Sequence, residues 1–227
     1  MIYLIAFLIF LALIYGPQWW VQRILAKYNH QDEQNFPGTG GELARHLLDK
    51  YGLFDVKVEI TEGGDHYDPI NRAVRLTKDK HDSKTLTAIT VSAHECGHAL
   101  QHAAQEPLFQ WRTRLAMASL WANRLGSFLL FAAPILVLVT KVPSSGVLTA
   151  LGAFLVMGFS LVVQLVTLPV ELDASFKKAL PILEHGYLDE KQKRPARKIL
   201  KAAAWTYVAG AMAGLLNFWR WLAVLRR

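Results

Sequence analysis

One cysteine in 227 residues, Cys96, leaves no partner for an internal disulfide, so nothing in the chain requires an oxidising compartment. Internal repeats and low-complexity tracts are absent. Acidic residues are short: 18 Asp and Glu stand against 25 Lys and Arg, a net charge of +7. The densest basic run, Lys191, Lys193, Arg194, Arg197, Lys198 and Lys201, has no aromatic residue interleaved for base stacking, which excludes nucleic acid as the reason for the charge. No basic segment precedes the first apolar run, and Trp19-Trp20 stands where a cleavage site would fall. That run therefore reads as an uncleaved anchor and not as a signal peptide.

What is abundant is apolar: 52% of the residues are hydrophobic, and the excess is gathered into blocks. A collagen-like or disordered chain is thereby excluded. The polar remainder, about 130 residues, is one small domain. Ile2 to Trp20 is uncharged and just long enough to cross a bilayer core of about 30 Å. A second span is expected from Leu120 to Val142 and a third from Val147 to Leu168, joined by the turn Val142 to Gly146. Arg124, near the start of the second, would snorkel to the interface. Ala202 to Trp219 is shorter, and Arg220 interrupts its end, so it either crosses or lies in the interface. The expectation is an α-helical integral membrane protein with three to four transmembrane helices and a small α+β domain.

Of the 25 Lys and Arg, 21, counting Arg124, fall between the first and second spans or between the third and fourth. The positive-inside rule places these segments in the cytoplasm, with the N-terminus outside. The terminal pair Arg226-Arg227 dissents. The Lys191–Lys201 run would then meet anionic lipid. The small residues Gly210, Ala213 and Gly214 offer a face for another helix, within the chain, in a homo-oligomer or in a membrane protein partner.

Within the main polar segment, Leu43, Leu47 and Leu48 have helical spacing between Gly38 and Tyr51. Two alternating runs, Asp55 to Thr61 and Arg72 to Thr77, read as strands of a small sheet, with the loop Asp65 to Pro69 between them. The second run is expected to be an exposed edge able to pair with an extended peptide. A helix from Ser83 to Ala104 follows, capped by Asp82 or Ser83.

That helix carries His94-Glu95-Cys96-Gly97-His98. Residues four apart share a helix face, so two imidazole nitrogens can meet one zinc ion. Glu95 faces the same opening, where it can take a proton from water as general base. Position 104 is alanine where a metzincin has its third histidine, which excludes that subclass. His102, one turn beyond His98 and about 6 Å along the axis, is too far to join both ligands and reads as an outer partner or a surface residue. Topology favours Glu171 as third ligand, because the hairpin leaves the polar side after the histidine helix and returns just before it. His66 and Tyr67 are candidates for stabilising an oxyanion, against a plainer reading in which Asp65 and Asp68 simply hold a turn. Cys96 falls in a free position of the motif and reads as a small buried residue.

Asp65-His66-Tyr67-Asp68-Pro69, Arg75-Leu76, Ala93 to His102 and Pro169 to Ser175 together resemble the YugP-type neutral zinc metallopeptidases of bacterial membranes. The resemblance runs over nearly the whole chain. It implies a membrane-bound, zincin-like gluzincin with His94, His98 and Glu171 as Zn2+ ligands, Glu95 as base and a polypeptide substrate. It also implies a layout similar to the HtpX-like membrane proteases, located in the bacterial inner membrane. Many gluzincins have an Asp four residues after the ligand Glu; here that place is Ser175, with Asp173 nearby. Which of the two supports a ligand histidine is open at this point. The division expected is an anchor over 1–21, a catalytic segment over 22–118, a hairpin over 119–170, a third-ligand and basic segment over 171–201, and a last helix over 202–227. The rival is a non-enzymatic membrane adaptor with a structural zinc, its fourth ligand drawn from His102, His185 or Asp173. Glu95 would be useless there. Intramembrane proteolysis is disfavoured by the polar residues flanking the motif, among them Lys80, Asp82, Lys84, Gln101 and Gln105.

Overall fold

The computed structural model describes residues 2–29 and 36–225. It is mostly helical with one small sheet. In chain order the elements are α1 (Ile2–Lys27), α2 (Gly40–Lys50), β1 (Lys57–Thr61), β2 (His66–Asp68), β3 (Ala73–Thr77), α3 (Lys78–His81), α4 (Leu86–Ala103), α5 (Pro107–Thr140), α6 (Pro143–Asp173), a π-helical segment (Ala174–Ala179), α7 (Leu180–Glu184) and α8 (Glu190–Leu225). Arg226 and Arg227 lie outside the described residues, as do the side chains of Gly210, Ala213 and Gly214.

The chain divides into two units. One gathers Met1–Tyr15, Trp111–Thr167 and Tyr207–Arg227; the other gathers Gly16–Gln110 and Leu168–Thr206. In the first, the turn between α5 and α6 is tighter than the expected Val142 to Gly146 loop. Only Lys141 and Val142 intervene, with Lys141 in the left-handed region at φ 55. Among the described residues one helix, Pro107–Thr140, is long and apolar enough to cross a membrane.

The second unit is built around α4. Thr39 caps α2 through a reciprocal pair with Glu42, each side chain accepting from the other's backbone N–H. Leu43, Leu47 and Leu48 then face α4 and the sheet, where Val56, Val74 and Leu76 are also fully buried. Each such side chain contributes about 1.5–3 kcal/mol of burial. The cap of α4 is Thr85, whose hydroxyl accepts from Ala88 N at 3.1 Å, and not Asp82 or Ser83. Asp82 instead closes the short α3, and Ser83 and Lys84 follow it outside any helix, so the long helix starts later than the sequence suggests.

The sheet corrects a further expectation. Its strand order is β1-β3-β2, with β1 and β3 parallel, Lys57 opposite Ala73 through Thr61 opposite Thr77. The intervening segment is itself a strand, antiparallel to β3, with Tyr67 opposite Val74. β3 is therefore the central strand and cannot present an edge to a peptide. Its residues Ala73, Val74 and Leu76 are wholly buried, which alternation alone could not reveal. The two edges belong to β1 and β2.

Candidate metal centre

α4 is the most enclosed element in its unit: every residue from Leu86 to Ala99 is buried. Helical spacing sets His94 and His98 on one face, their ring centroids 4.8 Å apart. The third group arrives from α6. Glu171 is 1% exposed, and its Oε2 lies 3.4 Å from His94 Nε2 and 3.2 Å from His98 Nε2. One ligand atom from each of the three lies within 4.8 Å of the others.

Gly97 is what lets α6 come this close. A Cβ at that position would stand 2.8 Å from the carbonyl oxygen of Ala174, a backbone atom that cannot swing aside. The small residue in the motif is thus a seat for the π-helical turn that follows Glu171. π-Helical turns are uncommon and recur at functional sites.

The outer hydrogen bonds resolve the choice between Asp173 and Ser175: both take part, on different histidines. Ser175 Oγ lies 3.0 Å from His94 Nδ1 and donates to Leu200 O at 3.2 Å. Asp173 reaches His98 through a residue the sequence reading had placed among the flanking polar groups. Gln101, 1% exposed, has Oε1 2.9 Å from His98 Nδ1, and its Nε2 donates to Val170 O at 3.0 Å and Asp173 Oδ2 at 2.8 Å. Burial alone would raise the Asp173 pKa. Hydrogen bonds from Gln101 and Lys177 and the charge of Lys178 outweigh it, and the carboxyl is held below its usual value. Lys178 is in turn tied to Glu106 at 2.6 Å.

Glu95 is buried on α4 beside His94 and is outside the three-group cluster. Tyr67 and His102 form a pair: the phenol oxygen is 2.8 Å from His102 Nδ1, and both rings pack on Phe109, which also meets His98 at 6.0 Å between centroids. Burial pushes the Tyr67 phenol up to about 12, so at neutral pH it is a proton donor. Burial also lowers the His102 pKa, helped by the charge of Arg72. His66 is turned elsewhere, its Nδ1 donating to Gly64 O at 2.8 Å. The plainer reading of the loop holds for its acids. Asp65 accepts from Thr77 N and Oγ1, while Asp68 accepts from Ile70 N, Asn71 N and Nδ2, and Arg75 Nη1.

Cys96 donates to Ala44 O at 3.6 Å on the far side of α4, and burial pushes its thiol pKa well up. It is a packing residue. None of the proposed fourth ligands joins the cluster: His102 faces Tyr67, Asp173 faces Gln101, and His185 Nδ1 donates to Pro181 O at 2.7 Å. Two imidazoles and one carboxylate in a buried setting suit Zn2+, which prefers N and O ligands of this kind, with three protein ligands in catalytic sites. The donor set fits the metal that the motif implies.

Such a cluster on a buried helix beside a small sheet could hold a metal ion. The family described as "putative neutral zinc metallopeptidase" matches residues 3–226, and the chain belongs to it. A curated relative, the "putative membrane protease YugP" of Bacillus subtilis (strain 168), is 34% identical over 218 residues, covering 94% of this chain and 92% of the relative. No solved structure matches the chain.

Proposed function

We propose that the protein is a membrane-bound, zinc-dependent endopeptidase of the gluzincin type, with His94, His98 and Glu171 holding the metal. The observation that carries this is that both histidine Nε2 atoms, on the helix that also bears Glu95, approach one oxygen of Glu171 from α6. Zinc bound there would supply Lewis acidity, polarising a peptide carbonyl and lowering the pKa of water toward ~7. Glu95 then acts as general base, taking the proton of the attacking water and passing it to the leaving amine. Ser175 and the Gln101–Asp173 pair hold the histidines. Of the two oxyanion candidates Tyr67 is the better, because it keeps its proton at neutral pH and packs on the Phe109 ring that touches His98, whereas His66 is held in its own turn.

The long apolar helices are proposed to cross the bacterial inner membrane, with the zinc site at its cytoplasmic face. Three arginines lie over tryptophans close along the chain, Arg23 over Trp19 at 4.8 Å, Arg114 over Trp111 at 5.8 Å and Arg124 over Trp121 at 5.3 Å. Aromatic rings with a neighbouring cation are suited to the membrane–water boundary. In the basic run, Arg197 is paired with Glu184 and Lys193 with Glu190, which leaves Lys191, Arg194, Lys198 and Lys201 for anionic lipid.

The test is zinc content of the detergent-purified protein beside Glu95→Gln and Glu171→Ala, followed by peptide cleavage. One zinc per chain in the wild type and in Glu95→Gln, strongly reduced in Glu171→Ala, with cleavage by the wild type alone, is the expected result. Full zinc in Glu171→Ala would remove that residue from the ligand set. Zinc without cleavage in the wild type would favour the structural adaptor.

A further inference from the structure

The hydrogen bonds around the two histidines decide which ring nitrogen carries the proton. Gln101 Nε2 has two hydrogens, and both are used, on Val170 O at 3.0 Å and Asp173 Oδ2 at 2.8 Å. Turned the other way, the amide oxygen would face a carbonyl and a carboxylate, so the orientation is fixed by chemistry. Oε1 has only lone pairs to offer, and it lies 2.9 Å from His98 Nδ1. That nitrogen must therefore be the donor. In the neutral ring the lone pair is then on Nε2, the atom 3.2 Å from Glu171 Oε2. Ser175 reaches the same end by other means. Its one hydroxyl hydrogen goes to Leu200 O at 3.2 Å, so its oxygen, 3.0 Å from His94 Nδ1, accepts.

We infer that Gln101 is the positioning residue that holds His98 as the Nδ1–H tautomer, and that it can do so only when the Val170–Asp173 segment is docked against α4. The inference rests on the zinc reading above and extends it. One segment thereby performs two tasks. Glu171 supplies the third ligand, while its neighbours Val170 and Asp173 orient the amide that presents the second. Docking of α6 completes the ligand set and sets the tautomer together. His94 is held by a separate contact, the Ser175 hydroxyl, which is oriented by Leu200 of α8. Outer partners of this kind change metal affinity by about 10–100-fold when removed.

The experiment uses the full chain in detergent and two readouts: the zinc dissociation constant by competition with a chelator, and imidazole 15N shifts of the metal-free protein above the imidazole titration range. Gln101→Leu should weaken zinc about 10–100-fold and divide His98 between its two tautomers. Loss of donors to Val170 and Asp173 could imitate this by loosening the fold, so two further variants are needed. Q101E sets a carboxylate against Asp173 and should also weaken zinc. Q101E/D173N restores a donor at position 173 and should recover most of the loss with a single Nδ1–H signal from His98. Wild-type zinc affinity and a single His98 tautomer in Gln101→Leu would overturn the inference. So would a double variant no better than Q101E at equal thermal stability. A wild type that binds no zinc would sink the metal reading, while the tautomer signal would still decide this one.

Discussion

α4 and α5 invert the usual relation between polarity and burial. α4 carries threonines, a serine, three histidines, a glutamate and a glutamine, and nearly all of it is buried. α5 is rich in Leu, Phe, Trp and Val, yet only 11% of its most apolar window is buried. Phe128, Phe131, Leu138 and Val139 are among its exposed residues. Burying a polar helix demands partners for most of its groups, and on α4 Gln101 and Ser175 meet the histidines and Leu25 O meets Thr87, while the buried hydroxyls of Thr90 and Ser92 make no hydrogen bond. An apolar helix can stay exposed only if its surroundings are apolar too, which is the reason to propose lipid around α5. The two helices teach that hydropathy identifies the solvent of a surface and hydrogen bonding identifies the contents of a core.

The largest effect that would break this comparison concerns the polar helix. Glu95→Gln keeps the shape and burial of the side chain and removes its basicity. It is expected to lower kcat by about 10²–10⁴-fold with zinc content and melting temperature unchanged, measured by peptide cleavage and metal analysis on one preparation. Unchanged kcat would mean that Glu95 is only packing. Next is the apolar helix. Phe131→Asp puts a charge on its exposed face, at an insertion cost of about 2.5–3.5 kcal/mol if that face meets lipid. The membrane-integrated fraction of the protein should fall on fractionation; a rise in soluble protein with intact zinc binding would show that water, not lipid, surrounds it.

Gly97→Ala comes third. The added methyl has 2.8 Å to the Ala174 carbonyl, so α4 and the turn after Glu171 must part. Overpacking of this kind costs about 1–3 kcal/mol. Because Glu171 lies one turn before the contact, zinc should be held more weakly as well. Cys96→Ala, next along the chain but facing Ala44, is the control and should leave zinc binding unaltered.

The difference between the two helices also explains what could be read in advance. The histidine pair was legible because i and i+4 are neighbours on any α-helix, and the approach of Glu171 to it followed from reading the two apolar blocks between them as a hairpin that returns the chain to the side it left. Gln101 was not assigned a role. Its place three residues after His98 says nothing until Val170 and Asp173 arrive from another helix to turn its amide. The choice between Asp173 and Ser175 was equally closed, since the π-helical turn from Ala174 changes the angle between positions 173 and 175. In the sheet, both alternating runs were legible but their pairing was not. β2 is three residues long and polar at both ends, and nothing local announces that it takes an edge and leaves β3 in the centre.

The smallest expected effect lies at that edge and has a definite sign with pH. Burial alone would raise the pKa of Asp68, but hydrogen bonds from Asn71 and Ile70, with Arg75 alongside, hold it below 3.8. A carboxyl whose folded value is depressed contributes stability that is complete above the unfolded value and is lost as pH falls through the folded one. Asp68→Asn removes the charge and keeps one acceptor oxygen for the turn, so at neutral pH it should cost about 1 kcal/mol. As pH falls from the ordinary carboxyl value toward the depressed folded one, the wild type loses this contribution and the gap between the two proteins should narrow. Other groups titrate in both proteins and cancel in the difference, and chelator in both samples removes zinc from the comparison. Denaturation of the pair at pH 7 and pH 3 measures it. A gap that stays constant or widens in acid would mean that the depressed carboxyl at β2 contributes nothing to the fold through its charge.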